Sequence, residues 1–232
     1  MALKDAYTKE ILKQRGTYAT YPFGDQVKVG DFGTLDGNVF NAEGKLENQS
    51  WYEGNLATTQ GARAESISLT SAGEVNVTFK AEGKKTSAGT GVIPLDSAGF
   101  IIEFGKKHSV ILECQGVRNH ALSHLTHIAG QIIDRFKADK WPKDRVLVTE
   151  VWRAESSYVA VSRSSNVKVE LEVSGSVSGG GTNELANIDA GLTYRASKSD
   201  VDTAIIDDAW TPYFVLYKIK KPALGAITFE RI

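Results

Sequence analysis

The sequence has one cysteine, Cys114, in 232 residues, which excludes an intrachain disulfide and a cysteine metal cluster. Residues 1–5 lack the apolar core of a signal peptide, so we expect a resting protein in the cytoplasm. No run approaches the roughly 18 apolar residues of a transmembrane helix, which still leaves insertion through strands open. A net charge of −1 gives no case for nucleic acid as a partner.

Residues 166–195 alternate between apolar and polar side chains on either side of a glycine loop, which predicts a long amphipathic β-hairpin. The alternation runs through residues 166–177, reverses at a glycine loop over residues 179–181, and continues as one return strand at residues 186–195. The apolar parity includes Val167, Val169, Leu171, Val173, Ile188 and Leu192. Each arm is about as long as a tilted membrane-crossing strand, which needs roughly 9–11 residues.

Residues 64–114 predict a second, less regular hairpin, with arms at residues 64–80 and 99–114 and an interruption at residues 105–108. The apolar parity includes Ile67, Leu69, Val75, Val77, Phe79, Phe100, Ile102 and Phe104. Charged residues such as Glu74 lie on the other parity and would be intolerable against lipid. The pair of hairpins fits either a soluble β-structure or the wall of a pore, with lipid outside and water inside.

Residues 3–15 predict a short helix, because Leu3, Tyr7 and Ile11 recur at helical spacing. Its basic residues are Lys4, Lys9, Lys13 and Arg15. They either belong to a solvated surface helix or contact anionic lipid headgroups, where each would contribute about 1 kcal/mol. A second basic cluster, Lys218, Lys220 and Lys221, lies at the end of the last predicted strand.

Residues 119–138 predict the most regular helix of the chain, with an apolar stripe at helical spacing. His120, His124 and His127 would lie on one flank of this helix and could hold a zinc ion. The alternative is an ordinary polar flank, because no glutamate follows the first histidine and no carboxylate lies among the three. No phosphate-binding loop or nucleophile elbow occurs, so we expect no enzyme and assign no metal, cofactor or catalytic residue.

Shorter signals complete the fold prediction. Asp36 and Gly37 indicate a tight hairpin, residues 145–152 predict a buried strand that pairs with residues 157–162, and residues 200–208 indicate an acidic loop. Together the patterns predict an α+β fold with a twisted, mainly antiparallel sheet, long amphipathic hairpins and a few packed helices. We expect a single domain over residues 1–232.

The order of these elements resembles the pore-forming N-terminal domain of the gasdermin family. The closest local match is the strand at residues 146–151, Val-Leu-Val-Thr-Glu-Val, with the helix before it and residues 158–163 after it. The chain is too short for the inhibitory C-terminal domain of animal gasdermins, and it lacks the N-terminal cysteine of bacterial members. It is therefore more similar to the compact fungal gasdermin-like cell-death proteins.

The resemblance implies a protein that leaves the cytoplasm to bind acidic phospholipids of the plasma membrane and forms a homo- or hetero-oligomer with a related chain. Residues 64–114 and 163–198 would insert as β-hairpins, and the pore would cause lytic cell death in innate immunity. The lipid-binding residues would be Lys4, Lys9, Lys13, Arg15, Lys218, Lys220 and Lys221. From the residues alone, a soluble β-rich binding module without membrane activity stays the alternative.

Overall fold

A computed structural model describes residues 2–54, 56–61, 66–71, 74–79, 85–87, 99–173, 184–187, 192–196, 200–206 and 209–232. Within these ranges the chain forms two α-helices and antiparallel sheets, which confirms the predicted α+β class. The helices are α1 (Leu3–Arg15) and α2 (Leu125–Lys137), and one short 3-10 turn covers Leu46–Asn48. On α1, the predicted stripe is confirmed, because Tyr7 and Ile11 are fully buried.

The strands vary from two to eleven residues in length, and they are numbered in chain order. They are β1 (Tyr18–Ala19), β2 (Asp31–Asp36), β3 (Val39–Lys45), β4 (Thr58–Gln60), β5 (Ser66–Thr70), β6 (Val75–Phe79), β7 (Lys85–Ser87), β8 (Gly99–Phe104), β9 (Val110–Gln115), β10 (Arg118–Leu122), β11 (Val146–Ala154), β12 (Ser156–Ser162), β13 (Val167–Val173), β14 (Glu184–Asn187), β15 (Leu192–Ala196), β16 (Val201–Ile206), β17 (Trp210–Lys220) and β18 (Thr228–Arg231).

The chain divides into two compact units, each built from several segments. The first unit comprises Met1–Glu10, Ala64–Val117 and Ala154–Ala209, and the second comprises Ile11–Arg63, Arg118–Arg153 and Trp210–Ile232. Both predicted hairpins fall in the first unit. The expectation of a single domain stays a prediction.

The first unit contains two sheets that share one hydrophobic core. The four-stranded sheet has the order β16-β12-β9-β5, and the six-stranded sheet has the order β14-β15-β13-β8-β6-β7. Phe100 and Ile102 of the six-stranded sheet lie in the same cluster as Tyr158 of the four-stranded sheet. The rings of Phe100 and Tyr158 meet edge to face with centroids 6.2 Å apart. The two sheets therefore cover each other's apolar faces.

The second unit contains an eight-stranded sheet with the path β1-β17-β11-β10-β4, to which β2, β3 and β18 are attached. Leu147 of β11 packs in one cluster with Ile128 and Ile132 of α2. Its neighbour Val148 packs in a second cluster with Phe214 of β17. Since successive residues of a strand face opposite sides, β11 is buried on both faces, as its continuous apolar run predicts.

The tight hairpin predicted at Asp36 and Gly37 is confirmed. Asp36 pairs with Val39, so Gly37 and Asn38 form a two-residue turn between β2 and β3. Gly37 has φ +62°, a left-handed conformation that glycine adopts without steric cost.

The helix predicted over residues 119–138 is wrong in its first part, because α2 begins only at Leu125. Residues 118–122 form β10 instead, which pairs with β11 on one side and β4 on the other. Backbone hydrogen bonds to two neighbouring strands override the local helical pattern. The apolar stripe survives on α2 itself, where Ile128 and Ile132 are buried.

Three further expectations are wrong, because long-range pairing decides the structure. The single return strand at residues 186–195 is two strands, β14 and β15, which pair with each other antiparallel. The acidic loop at residues 200–208 contains β16, which pairs with β12. Strand β12 lies between β16 and β9, so it does not pair with β11 as predicted for residues 157–162.

We predict that Ile102→Ala lowers the free energy of unfolding by about 2–5 kcal/mol, because its side chain is fully buried between the two sheets of the first unit. The adjacent Ile101→Ala, on the opposite face of β8 and only half-buried, is the matched control and is expected to cost less. Urea unfolding followed by circular dichroism measures both. Equal losses would contradict the assignment of the core face.

Candidate functional site

Four chain segments of the first unit contribute one strand to each of its two sheets. The segments are β5 with β6, β8 with β9, β12 with β13, and β15 with β16, and they have the same neighbours in both sheets. Strand β6 pairs with β8, and β13 pairs with β15, both antiparallel. The long amphipathic hairpins predicted from the alternation are therefore present, and they lie side by side through β8 and β13.

We call the boundary between the two sheets the crease. Its described residues are Ser71, Glu74, residues 105–109, residues 162–166 and Asp200. The two central segments keep one register through it, because Val110 pairs with Val161 on one side and Phe104 pairs with Val167 on the other. Five residues on each segment separate these pairs, so the register of the two central segments is the same on both sides of the crease.

The two outer segments have fewer residues at the crease than the central segments beside them. Between the pairs Thr70–Ile111 and Val75–Phe104, the first segment has four residues and its neighbour has six. Between the pairs Ser162–Val201 and Val169–Ala196, the segment with β12 and β13 has six residues and the segment with β15 and β16 has four. Since each difference is even, side chains on one face stay matched across the strands. The two hairpins are thus built alike around a shared central pair.

Serine side chains add to the backbone hydrogen bonds at the crease, such as that from the Ser162 N–H to the carbonyl oxygen of Ser109 (3.0 Å). The Ser162 hydroxyl donates to the carbonyl oxygen of Lys106 (2.8 Å) and accepts the backbone N–H of Ser109 (2.9 Å). The Ser71 hydroxyl accepts the backbone N–H of Val110 (2.9 Å). Buried backbone groups need partners where the chain leaves a sheet, and these hydroxyls supply part of them.

Two partly exposed ion pairs lie at or beside the crease. The Lys106 ammonium lies 2.8 Å from a Glu74 carboxylate oxygen, and Arg163 pairs with Asp202. Exposed pairs of this kind contribute about 0–1 kcal/mol each. Burial, and then the positive charge of Lys107, lowers the pKa of His108, so its neutral form is favoured. The crease is therefore held mainly by hydrogen bonds.

The structure buries the apolar parity that the sequence assigns to lipid. Leu69, Val75, Val77, Phe100, Ile102, Phe104, Val167 and Val169 are all buried, and Ile67 is half-buried. The side chains of Phe79, Leu171, Val173 and Leu192, together with Ile188, Gly73 and the glycine loop at residues 179–181, lie outside the described part. Most of the buried set belongs to the core between the two sheets.

Apart from the half-buried Ile101, the described opposite parity of β6, β8 and β13 is polar and at least partly accessible. Asn76 and Lys168 are exposed, and Glu103 and Glu170 are half-buried. Lys168 pairs directly with Glu103 across β13 and β8, which places opposite charges side by side. The amphipathic character predicted for the hairpins is therefore confirmed in the folded protein.

The predicted lipid-binding residues fall into two groups. On α1, Lys9, Lys13 and Arg15 are exposed and Lys4 is half-buried. The Arg15 guanidinium lies over the Tyr213 ring, 5.5 Å from its centroid. Lys218, Lys220 and Lys221 are exposed at the end of β17. Of these, Lys220 forms an ion pair with Glu230 at 3.1 Å, which partly neutralises it.

The three histidines do not share a helix. His120 lies on β10, His124 directly precedes α2, and His127 is on α2, where its ring contacts Gln131 at 2.9 Å. Burial, followed by the charges of Arg153 and Arg118, lowers the pKa of His120. Within the described ranges, no three histidine, cysteine or acidic side chains are placed to hold a metal ion. The zinc geometry considered from the sequence is therefore wrong.

Sequence reasoning missed the crease and one buried acid. The apolar parity continues from Leu69 to Val75, so no break in the pattern marks the bend. The available signals were the polar run at residues 162–166 and the interruption at residues 105–108. Glu113 of β9 is 1% exposed and accepts a hydrogen bond from the Ser68 hydroxyl. Its burial depends on pairing between distant segments.

The sequence matches no protein-family model and no curated protein. Neither described helix has the length and apolar character needed to cross a bilayer. The function must therefore be argued from the geometry of the hairpins and of the crease.

We predict that Ser162→Ala lowers the free energy of unfolding by about 1–3 kcal/mol, because the buried Ser109 N–H loses its acceptor. Hydrogen exchange at the Ser109 amide should also accelerate. The matched control is Ser165→Ala, whose hydroxyl accepts the exposed Lys107 N–H, and it should cost less than about 0.5 kcal/mol. Indistinguishable exchange in the two variants would contradict this role of Ser162.

Proposed function

We propose that this protein forms membrane pores, binding acidic phospholipids and inserting its two β-hairpins as part of an oligomer. The observation that carries the proposal is the pairing of two amphipathic hairpins around a central register that continues through the crease. A sheet built in this way can change its bend while its central strands stay paired. Its apolar face would then exchange the neighbouring sheet for lipid.

The charges of the crease suggest where the membrane boundary would lie. Lys106 and His108 follow Phe104 on its own parity, and Arg163 precedes Val167 on the parity of that strand. Charges on a lipid-facing strand cost roughly 2–4 kcal/mol at the bilayer midplane but little near the headgroups. We therefore infer that the crease would lie at the headgroups and that only residues 75–104 and 167–198, within the predicted hairpins, would enter the hydrocarbon.

The lengths of these segments suit a membrane-spanning barrel. Residues 75–104 and 167–198 contain 30 and 32 residues, so each hairpin has two arms longer than the roughly 9–11 residues that a tilted strand needs. Asn76, Lys168 and Glu103 would face the water-filled lumen, where charge is tolerated. Unpaired backbone at the outer strands is not tolerated in lipid, which requires further copies of this chain or a related chain.

The biological setting rests on the gasdermin resemblance. It supports a resting protein in the cytoplasm that moves to the plasma membrane and causes lytic cell death in innate immunity. The exposed basic residues of α1 and β17 are suited to acidic headgroups. No catalytic motif in the sequence supports an enzyme, and no cofactor is part of the proposal.

A soluble β-rich interaction module is the second candidate, and one observation favours it. The apolar parity of the hairpins is already satisfied in the core, where Phe100, Ile102 and Phe104 are fully buried. A protein without membrane activity would need the same core. Both candidates share the fold, so only behaviour at a bilayer separates them.

We predict that the purified protein releases a trapped dye from phosphatidylcholine vesicles that contain phosphatidylserine, and releases little from phosphatidylcholine alone. The reason is that insertion requires prior binding to anionic headgroups. Dye fluorescence measures the release. Intact vesicles of both compositions at saturating protein would contradict the proposal and favour the interaction module.

We also predict that Glu103→Lys shifts the ion selectivity of the pore towards anions, because this position would line the lumen. The reversal potential in a planar bilayer under a salt gradient measures the shift. The control is Glu53→Lys, which makes the same charge change at an exposed position outside the hairpins. Pores with unchanged selectivity in the Glu103 variant would contradict the assignment of the lumen face.

A further inference from the structure

The loop between β17 and β18 exposes an apolar tip. Lys220 pairs with Thr228 at the base of this hairpin, and residues 221–226 between them are all exposed. Residues 222–229 carry no charged side chain. Leu224 is 93% exposed, and it is the one large apolar residue of the described ranges that is classed as exposed.

Three lysines and one glutamate, Glu230, lie at the base of this tip. Lys218 and Lys221 are exposed and form no ion pair within the described residues, whereas Lys220 is paired with Glu230. Lys218 also lines, with Lys143 and Asp144, a cavity of about 460 Å³ whose wall includes the apolar Val146. An isolated exposed leucine needs no explanation, but an uncharged tip above unpaired lysines has the polarity profile of a bilayer interface.

We propose that this loop is an anchor for an anionic bilayer, with Leu224 in the hydrocarbon boundary and Lys218 and Lys221 at the headgroup phosphates. The proposal rests on the membrane binding in the proposed function, and it adds the insertion of an apolar tip, Leu224, beside lysines already assigned to the headgroups. The anchor would hold the second unit against the bilayer before any hairpin inserts. It needs no rearrangement, because the loop is already exposed.

Site-specific fluorescence tests the anchor directly. The variant Leu224→Cys can be labelled selectively with the environment-sensitive dye NBD, because the only native cysteine, Cys114, is 1% exposed. We expect a blue shift and an intensity gain on adding phosphatidylcholine vesicles that contain phosphatidylserine, and quenching by lipids spin-labelled in their acyl chains. Dye that stays in a water-like environment on membrane-bound protein would overturn the proposal.

Substitutions separate the apolar contribution from the charged one. Leu224→Glu should weaken partition onto these vesicles about tenfold or more, since a buried leucine side chain contributes at least that factor. Asn41→Glu adds the same charge at an exposed position of the second unit and should leave partition nearly unchanged. The double variant Lys218→Gln, Lys221→Gln should lose roughly fivefold per lysine and should show a weaker salt dependence than the unmodified protein. Equal partition of the Leu224 and Asn41 variants would overturn the anchor.

The anchor and the pore fail in different ways. If the NBD label enters the bilayer but no trapped dye is released, the anchor stands and the pore proposal fails. If trapped dye is released while the label stays in water, the pore stands and the anchor is overturned. A blue shift of the label on adding unlabelled copies of this chain in the absence of lipid would assign the loop to contacts between copies and would also overturn the anchor.

Discussion

The period-two alternation of β6, β8 and β13 is the constraint on which the rest of the structure depends, because it creates an apolar face that must be covered. In the folded chain the four-stranded sheet covers it with Tyr158 and Ile111. Each large apolar side chain gains about 1.5–3 kcal/mol from leaving water, so the hairpins stay closed while this sheet is their only apolar partner. A bilayer interior is a second partner of the same polarity, and exchange between the two need not expose the face to water.

Energetically, the crease and the core have different roles. The core holds the sheets together, whereas the crease is held by hydrogen bonds that each contribute about 0.5–1.5 kcal/mol and by exposed ion pairs that contribute less. The central register passes through the crease unchanged, so the pairing of β9 with β12 and of β8 with β13 does not depend on the bend. Backbone pairing therefore keeps the strands together, whereas the core contacts and the crease keep the two sheets packed against each other.

Sequence patterns correctly predicted the elements that depend on residues close together in the chain. The alternation at residues 167–173 gives the strand β13, the stripe of Ile128 and Ile132 gives α2, and Gly37 gives the hairpin turn. The errors arise where a distant partner decides the structure. Residues 118–122 become a strand only because β11 and β4 lie on either side, and Val201–Ile206 becomes one because β12 offers a free edge.

The candidate site divides in the same way. Parity alone identifies the apolar residues of the hairpins, because burial of one face follows from alternation. It cannot show that the chain bends, since the residues between Leu69 and Val75 preserve the parity. The position of the crease depends on serine hydroxyls such as those of Ser71 and Ser162, whose partners lie on other segments. The exposure of Leu224 likewise follows from the pairing of β17 with β18 and not from its neighbours in sequence.

The described edges of the six-stranded sheet are protected against pairing with another chain. Its outermost strands are β7 and β14, which comprise only three and four residues. Each comes from the distal part of a hairpin and pairs back onto an arm of that same hairpin, β7 onto β6 and β14 onto β15. Short terminal strands are a common protection against edge-to-edge pairing. In a pore, β6 and β15 would be the edges that need partners, so release of β7 and β14 would couple insertion to oligomerisation through the backbone hydrogen bonds that the bilayer does not supply.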